Sequence, residues 1–308
     1  MDNLWFPYFS LSDNLKSLKV KRASGASIFL EDGRILVDGI SSWWAVCHGY
    51  QHPFIVEKIK EQVSKLSHIM LGGLVHEPAV EFSSKLIKFL ESKELSKVFF
   101  SDSGSTAVEA GIKMALQFFY ETGETSKTNI IYFEDGYHGE TFGALSFSHS
   151  MHSKFPSLAN KVQAKIPTTE EDFSSFESML QEQSHNIAGA IIEPILQGAG
   201  GMKMHSPENI KRLRKLLKQY NILIIADECA TGFCRLGSKF AFHKIGIEPD
   251  ILILGKALTA GYVPFAATVA KEFIFQAICK KSRFLHGPTF AGNPLASAAG
   301  IASLELFE

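Results

Sequence analysis

Six short apolar runs separated by helix-like segments constrain the fold of this chain more than any other feature. They are Lys97–Ser101, Asn129–Glu134, Ala188–Glu193, Ile222–Asp227, Asp250–Leu254 and Phe265–Val269. Each is β-branched or aromatic and nearly continuous in apolarity, the pattern of a strand covered on both faces. Amphipathic stretches lie between them at Thr106–Thr122, Glu171–Gln183 and Pro207–Tyr220. Ser206 before Pro207 reads as an N-cap followed by a first-turn proline, and Gly123 stands where a closing C′ glycine is expected. The alternation predicts an α/β fold, with a mostly parallel central sheet and helices on both faces. Residues 1–60 read as short pieces around Asp32-Gly33 and Asp38-Gly39, and predict part of a smaller flanking domain.

A chain of 308 residues with 45% hydrophobic residues has material for a large core and about two domains. Lys+Arg 31 against Asp+Glu 32 leaves no surplus of cations to neutralise phosphates, which argues against a nucleic-acid partner. Cys47, Cys229, Cys234 and Cys279 form no CxxC pair, so neither a disulfide framework nor a zinc module is expected. Met1 to Ser12 has no basic region leading into an apolar run, and reads as no signal peptide. The longest apolar stretches, Ile222–Ala226 and Ile251–Leu254, fall far short of the roughly twenty residues that span a bilayer. A cytoplasmic protein with no membrane partner is the expectation.

Ligands of an open parallel sheet bind beyond the carboxyl ends of its strands. That rule selects Glu193, Asp227 and Glu228, Lys256, the Ser103-Gly104-Ser105-Thr106 loop and the Gly136-Tyr137-His138-Gly139 loop. SDSGST at a helix N-terminus offers free N–H groups and a positive dipole end, hence a phosphate cup. It also reads as an ordinary capping box, with Ser105 and Glu109 near the required spacing. ILIIADE has the shape of a Walker B strand, yet no GxxxxGK[ST] accompanies it, which disfavours a P-loop nucleotide hydrolase. A lone aspartate at a strand end also serves as a turn former. Lys256 just past a buried strand is either a snorkelling surface lysine or an amine made nucleophilic by desolvation. Metal chemistry through His48, His52, His68 and His76 lacks an HExxH motif, and scattered histidines more often serve structure.

Together these elements meet the requirements of pyridoxal 5′-phosphate. Those are a phosphate cup, an acid that keeps a ring nitrogen protonated, an aromatic in a glycine-flanked loop, and a nucleophilic lysine.

At these residues the chain resembles the class III pyridoxal-phosphate aminotransferases of fold type I. The matching stretches are WFPY, DGISSWWAVCHGYQHP, SHIMLGGLVHEPA, SDSGSTAVE, GYHGETFGA, IIEPILQGAGGM, IADECATGF, LGKALT and HGPTFAGNPLA. WFPY, SSWW and HGPTF point within the family to the branch that serves biotin biosynthesis. The resemblance implies transfer of the amino group of S-adenosylmethionine to 8-amino-7-oxononanoate. It implies that Lys256 is the Schiff-base lysine and proton shuttle, that Asp227 pairs with the pyridine nitrogen, and that Gly104 and Ser105 bind the phosphate. Tyr137 would stack on the ring and border the substrate, and Tyr8, Trp43 and Gly287 would contact substrate. Pro288 and Thr289 would reach the cofactor of a partner subunit in a homodimer. Glu193 matches an acid near the cofactor. The rival readings are a class III ω-aminotransferase with another amine donor, and a non-catalytic remnant.

The same resemblance sets residues 1–60 as the N-terminal part of the small domain and 61–292 as the large cofactor-binding domain. Residues 293–308 would begin the connection to a C-terminal domain, so the expectation is a truncated chain of low activity that lacks the family's carboxylate-binding arginine. Cys234 and Leu236 stand in ATGFCRLG where glycine and a small polar residue are usual, so Cys234 is expected to strain a turn. LTAGYVPFAAT after the lysine also departs from the branch's small, hydroxyl-rich form.

Overall fold

Near the N-terminus, β1 (Val20–Ser24), β2 (Ser27–Leu30) and β3 (Ile35–Val37) pair antiparallel as a three-stranded meander. The computed structural model that shows this describes residues 3–12, 17–148, 154–158 and 162–308. The six predicted strands all form, as β4 (Leu95–Ser101), β5 (Asn129–Phe133), β7 (Ile187–Ile192), β10 (Leu223–Asp227), β11 (Ile251–Leu254) and β12 (Ala266–Lys271). With β6 (Val162–Ala164) they make a seven-stranded sheet in the order β4-β12-β11-β10-β7-β5-β6. Its pairings are parallel except those of β12, which runs antiparallel to both β11 and β4. A small antiparallel ribbon, β8 (Leu196–Gln197) with β9 (Lys203–Met204), follows β7.

Every residue of β7, β10, β11 and β12 is buried, which is why these strands read as unbroken apolar runs. The short segment α1 (Ser41–Trp44) and helices α2 (Pro53–Val63) and α3 (Glu77–Leu90) precede the sheet. Helix α4 (Gly104–Thr122) joins β4 to β5, and the one-turn α5 (Phe142–Leu145) follows β5. Next come α6 (Glu170–Gln183), α7 (Pro207–Gln219), α8 (Ala241–Ile245), α9 (Glu272–Lys281) and α10 (Pro294–Phe307). Ile251 and Ile253 pack into the core with α4 and α9, whereas Leu252 and Leu254 pack into the one holding α3 and α10. Helices α6 and α7 share a third cluster with Ile224 and Ile192. Phe82, fully buried, stacks on Phe100 and Phe265 with centroids 5.5 and 6.1 Å away. Burying a side chain of this size contributes about 2–3 kcal/mol.

One helix start differs from expectation for a local reason. Helix α4 starts at Gly104, two residues early, because Ser103 rather than Ser105 is its N-cap. Ser103 accepts from the Thr106 N–H while the Thr106 hydroxyl accepts from the Ser103 N–H, a reciprocal capping box. The final segment is a helix capped by Asn293, whose Oδ1 accepts from Leu295 and Ala296. It packs on α2, α3 and the 3₁₀ turn Lys256–Thr259.

Cys234 has φ 66°, and Phe233 before it φ 56°, so the position does take the left-handed conformation that suits glycine. The Cys234 side chain is exposed and contributes no burial. Cys234→Gly is therefore expected to stabilise the fold by about 0.5–1 kcal/mol, the steric relief outweighing glycine's extra unfolded-state entropy. A rise in denaturant midpoint at unchanged slope is the expected reading. An unchanged or lower midpoint would show that the turn carries no strain.

Candidate active site

The carboxyl ends of the central strands open onto one cavity of about 650 Å³. Gly104, Ser105, Tyr137, Glu193, Asp227 and Lys256 all line it, with Tyr8 and Trp43 at its wall. The amine at 256, the carboxylate at 227 and the helix start at 104 therefore share one space.

At the N-terminus of α4 the Ser103 cap engages the Thr106 and Ala107 N–H groups. Those of Gly104 and Ser105 have no acceptor among the described residues, which leaves them available to an anion. The Ser105 hydroxyl instead accepts from the Glu140 N–H at 3.1 Å, tying the Tyr137 loop to the helix. Gly139 in that loop has φ 114°, and a Cβ there would stand 2.1 Å from Ser105 Oγ. Only glycine allows the approach.

Asp227 is 5% exposed at the end of β10. Its Oδ2 pairs with His138 Nδ1 at 2.9 Å, and its Oδ1 accepts from the Cys229 N–H at 3.1 Å. Burial alone would push the carboxyl up. The His138 hydrogen bond and charge, helped by Lys256 and the Cys229 N–H, hold it below the ordinary value. The cavity thus holds a buried carboxylate that stays ionised.

Lys256 follows Gly255 and begins the 3₁₀ turn after β11. Its φ of 47° is in the left-handed region, a strained placement of the kind found where a side chain is aimed at a site. Its Nζ lies 5.8 Å from the centroid of the Trp44 ring. Tyr137 is half-buried, its hydroxyl donating to Glu140 at 2.8 Å and its N–H to Glu193 Oε2 at 2.9 Å. Burial, with Asp227 and Glu193 nearby, pushes the phenol up, so it stays protonated. Glu193 is 5% exposed, and its Oε1 accepts from the Gly198 N–H at 3.1 Å. Burial raises its carboxyl too.

Glu228 turns away from the cavity. It accepts from the N–H groups of Ala241 and Phe242 and from the Thr231 hydroxyl, capping α8 from within the core. Burial pushes its carboxyl up to about 7. Of the two acids in IADE, only Asp227 lines the cavity.

Gly287, Pro288 and Thr289 do not line this cavity; Gly287 and Thr289 are exposed on a surface loop. The adjoining His286 meets Lys113 Nζ at 3.2 Å. Sequence reasoning assigned no role to His138, Trp44 or Cys229. His138 stood in the selected GYHG loop, and its histidine beside an acid-bearing strand end was the available signal. Cys229 Sγ lies against both Gly104 and Gly255, forming the cavity floor, a contact that no local pattern announces. A larger open groove of about 840 Å³ runs along Lys113, Leu116, Gln117 and Tyr120 of α4, and none of the predicted site residues lines it.

Segment α1 is unusual. Ser41, Ser42, Trp43 and Trp44 have φ of 50°, 48°, 56° and 66°, four left-handed residues in succession and none of them glycine. Each costs about 1–2 kcal/mol relative to the right-handed form.

The residues fit pyridoxal phosphate: unpaired N–H groups at a helix start for its phosphate, an ionised buried acid for its ring nitrogen, and an amine for its aldehyde. Among the described residues no group of three or more His, Cys, Asp or Glu side chains is placed to hold a metal ion.

Comparison with known proteins gives the same direction. The chain matches the family described as Aminotransferase class-III over residues 9–308. It is 41% identical to the adenosylmethionine-8-amino-7-oxononanoate aminotransferase of Buchnera aphidicola subsp. Schizaphis graminum, over 99% of this chain and 73% of that one. It is 42% identical to the enzyme of that name from Synechococcus elongatus, over 99% of this chain and 75% of that one. Among solved structures, the enzyme of that name from Methanocaldococcus jannaschii superposes with TM-score 0.93 at 33% identity, covering 99% and 73%. An amine transaminase from an uncultivated Pseudomonas species, solved with pyridoxal phosphate bound, gives TM-score 0.91 at 29% identity, covering 99% and 74%.

Proposed function

The chain belongs to the class III aminotransferases, and on that premise we propose that it transfers the amino group of S-adenosylmethionine to 8-amino-7-oxononanoate in biotin biosynthesis. One observation carries the reading. An amine, an ionised buried carboxylate and a free helix N-terminus meet in one cavity, in a chain about 40% identical along nearly its whole length to enzymes of that name.

When bound, pyridoxal 5′-phosphate supplies an aldehyde that takes up amines and a ring that draws electrons from the bond being broken. The chain's own residues do the rest. The Gly104 and Ser105 N–H groups and the α4 dipole would bind the phosphate. Asp227, kept anionic by His138, would hold the ring nitrogen protonated. Lys256 would hold the aldehyde carbon. Once freed by the donor amine, its neutral amine would take the donor's α-proton and deliver it two atoms along, a 1,3-transfer from one position of the side chain. Tyr137 offers an aromatic face, fixed by Glu193 through its N–H. Tyr8 and Trp43 offer apolar walls for the donor and the acceptor chain. Gly287, Pro288 and Thr289 would act at the edge of a partner subunit's site in a homodimer. We place the large cofactor-binding unit at residues 61–292, with residues 1–60 in the small one and 293–308 leading onward. Among the described residues no helix is long and apolar enough to cross a membrane, and we take the cytoplasm as the site of action.

The test is donor specificity read on the cofactor itself. With the chain loaded, S-adenosylmethionine is expected to bleach the visible absorbance of the lysine-bound cofactor, and neither alanine nor a diamine is. The reverse pattern would favour an ω-aminotransferase. No response to any amine would contradict both readings.

A further inference from the structure

The left-handed segment α1 hangs two tryptophans on the cavity wall; Asp38 holds its start, and Arg235 Nη2 donates to the Trp44 carbonyl at its end, at 3.4 Å. Asp38 Oδ1 accepts from the Ile40 N–H at 3.1 Å, and its Oδ2 accepts from the Ser42 N–H at 2.8 Å and the Tyr50 hydroxyl at 2.6 Å. Tyr50 is anchored in turn by two backbone bonds to Gly25, of 3.0 and 2.8 Å. Inside the segment, the Trp44 N–H donates to the Ile40 carbonyl and the Val46 N–H to that of Ser41. A run of four strained residues persists only where its surroundings over-determine it. Asp38 is the side chain that engages the run from its N-terminal side.

The far side of the segment touches the chemistry. The Trp44 ring faces Lys256 Nζ at 5.8 Å. It also fills the space above Gly198, where a Cβ would stand 3.0 Å from Trp44 Cη2. Gly198 donates to Glu193, and the same carboxylate receives the Tyr137 N–H. Contacts therefore run without a gap from Asp38 through Trp44 and Gly198 to Glu193 and Tyr137. Asp38 does not line the cavity.

We propose that Asp38 is a positioning residue of this site: by clamping the left-handed turn 41–44 it fixes Trp44 beside Lys256, and so sets how the amino donor is seated. The proposal rests on the aminotransferase reading for its kinetic arm and on geometry alone for its optical arm. A merely structural Asp38 would alter the melting temperature without moving Trp44 or donor binding.

The chain has three tryptophans, Trp5, Trp43 and Trp44, so Trp5→Phe with Trp43→Phe leaves Trp44 as the sole emitter. In that background Asp38→Ala is expected to shift Trp44 emission to the red and raise its quenching by acrylamide several-fold. In the otherwise native, cofactor-loaded chain, Asp38→Ala is expected to raise the half-saturating donor concentration about tenfold, as loss of orientation does. Cofactor binding should change less, by about twofold at most, since Asp38 does not line the cavity and the phosphate cup at Gly104 and Ser105 is left in place. Adding Ser41→Gly and Ser42→Gly to Asp38→Ala should restore both readouts in large part, because glycine adopts positive φ without penalty. If Asp38→Ala does not fold, Gly198→Ala displaces Trp44 from the opposite side and should give the same two changes. Wild-type emission and donor half-saturation in the Asp38 variant would overturn the proposal, as would failure of the glycines to rescue. A native chain that answers no amine would sink the functional reading, and the optical arm would still decide the clamp.

Discussion

Lys256→Ala is expected to remove the visible absorbance of the lysine-bound cofactor and to lower amino transfer by at least about 10³-fold, since one group supplies both the nucleophile and the acid–base step. The residue sits just past β11 in left-handed backbone, facing the Trp44 ring, and lines the same cavity as Asp227. Alanine takes the φ of 47° no more easily than lysine does, so the substitution should leave the turn and its strain in place. The folded protein should still bind the cofactor's phosphate at the start of α4, more weakly and without the covalent link. An added small amine should recover part of the proton transfer, because the cavity that held the side chain stays open. Unchanged absorbance in the variant would place the nucleophile on another lysine.

Asp227→Asn comes next in size. Asparagine keeps the shape and can still accept from the Cys229 N–H, but it carries no charge for His138 or for a ring nitrogen. Removing an electrostatic group from a water-poor site costs about 10²–10³-fold in turnover. That loss should appear in turnover and not in phosphate binding, which depends on Gly104 and Ser105 of α4. His138, only 3% exposed, loses its charged partner, so a modest fall in stability is also expected. Retention of near-native turnover in Asp227→Asn would mean that the buried carboxylate does not serve the ring.

The central fold could be read from the sequence because its strands are covered on both faces. Ile251–Leu254, buried at every residue, has only one interpretation that suits its length and its flanks. The meander β1–β3 was opaque for the opposite reason. Val20–Ser24 is largely exposed, so the apolar signal that would mark it is absent. Strand-end logic reached Lys256, Asp227, Glu193 and the Ser103–Thr106 loop, since an open parallel sheet presents its carboxyl ends to ligand. It could not separate Asp227 from Glu228. Which of two adjacent acids faces the cavity depends on side-chain alternation and on the N-terminus of α8, which lies 13 residues further along. Family likeness, not pattern, pointed to Tyr8 and Trp43. Trp44 and Cys229 stayed invisible because their contacts with Gly198, Gly104 and Gly255 exist only after folding. The Cys234 turn was foreseeable: one residue in place of an expected glycine marked a left-handed position.

Where the cofactor attaches decides the identity of the catalytic lysine. Loading the purified chain with pyridoxal phosphate, reducing it with borohydride and mapping the modified peptide by mass spectrometry answers this directly. The label is expected on Lys256 alone. A label on any other lysine, or a chain that takes up none, would contradict the site built from Gly104, Asp227 and Lys256.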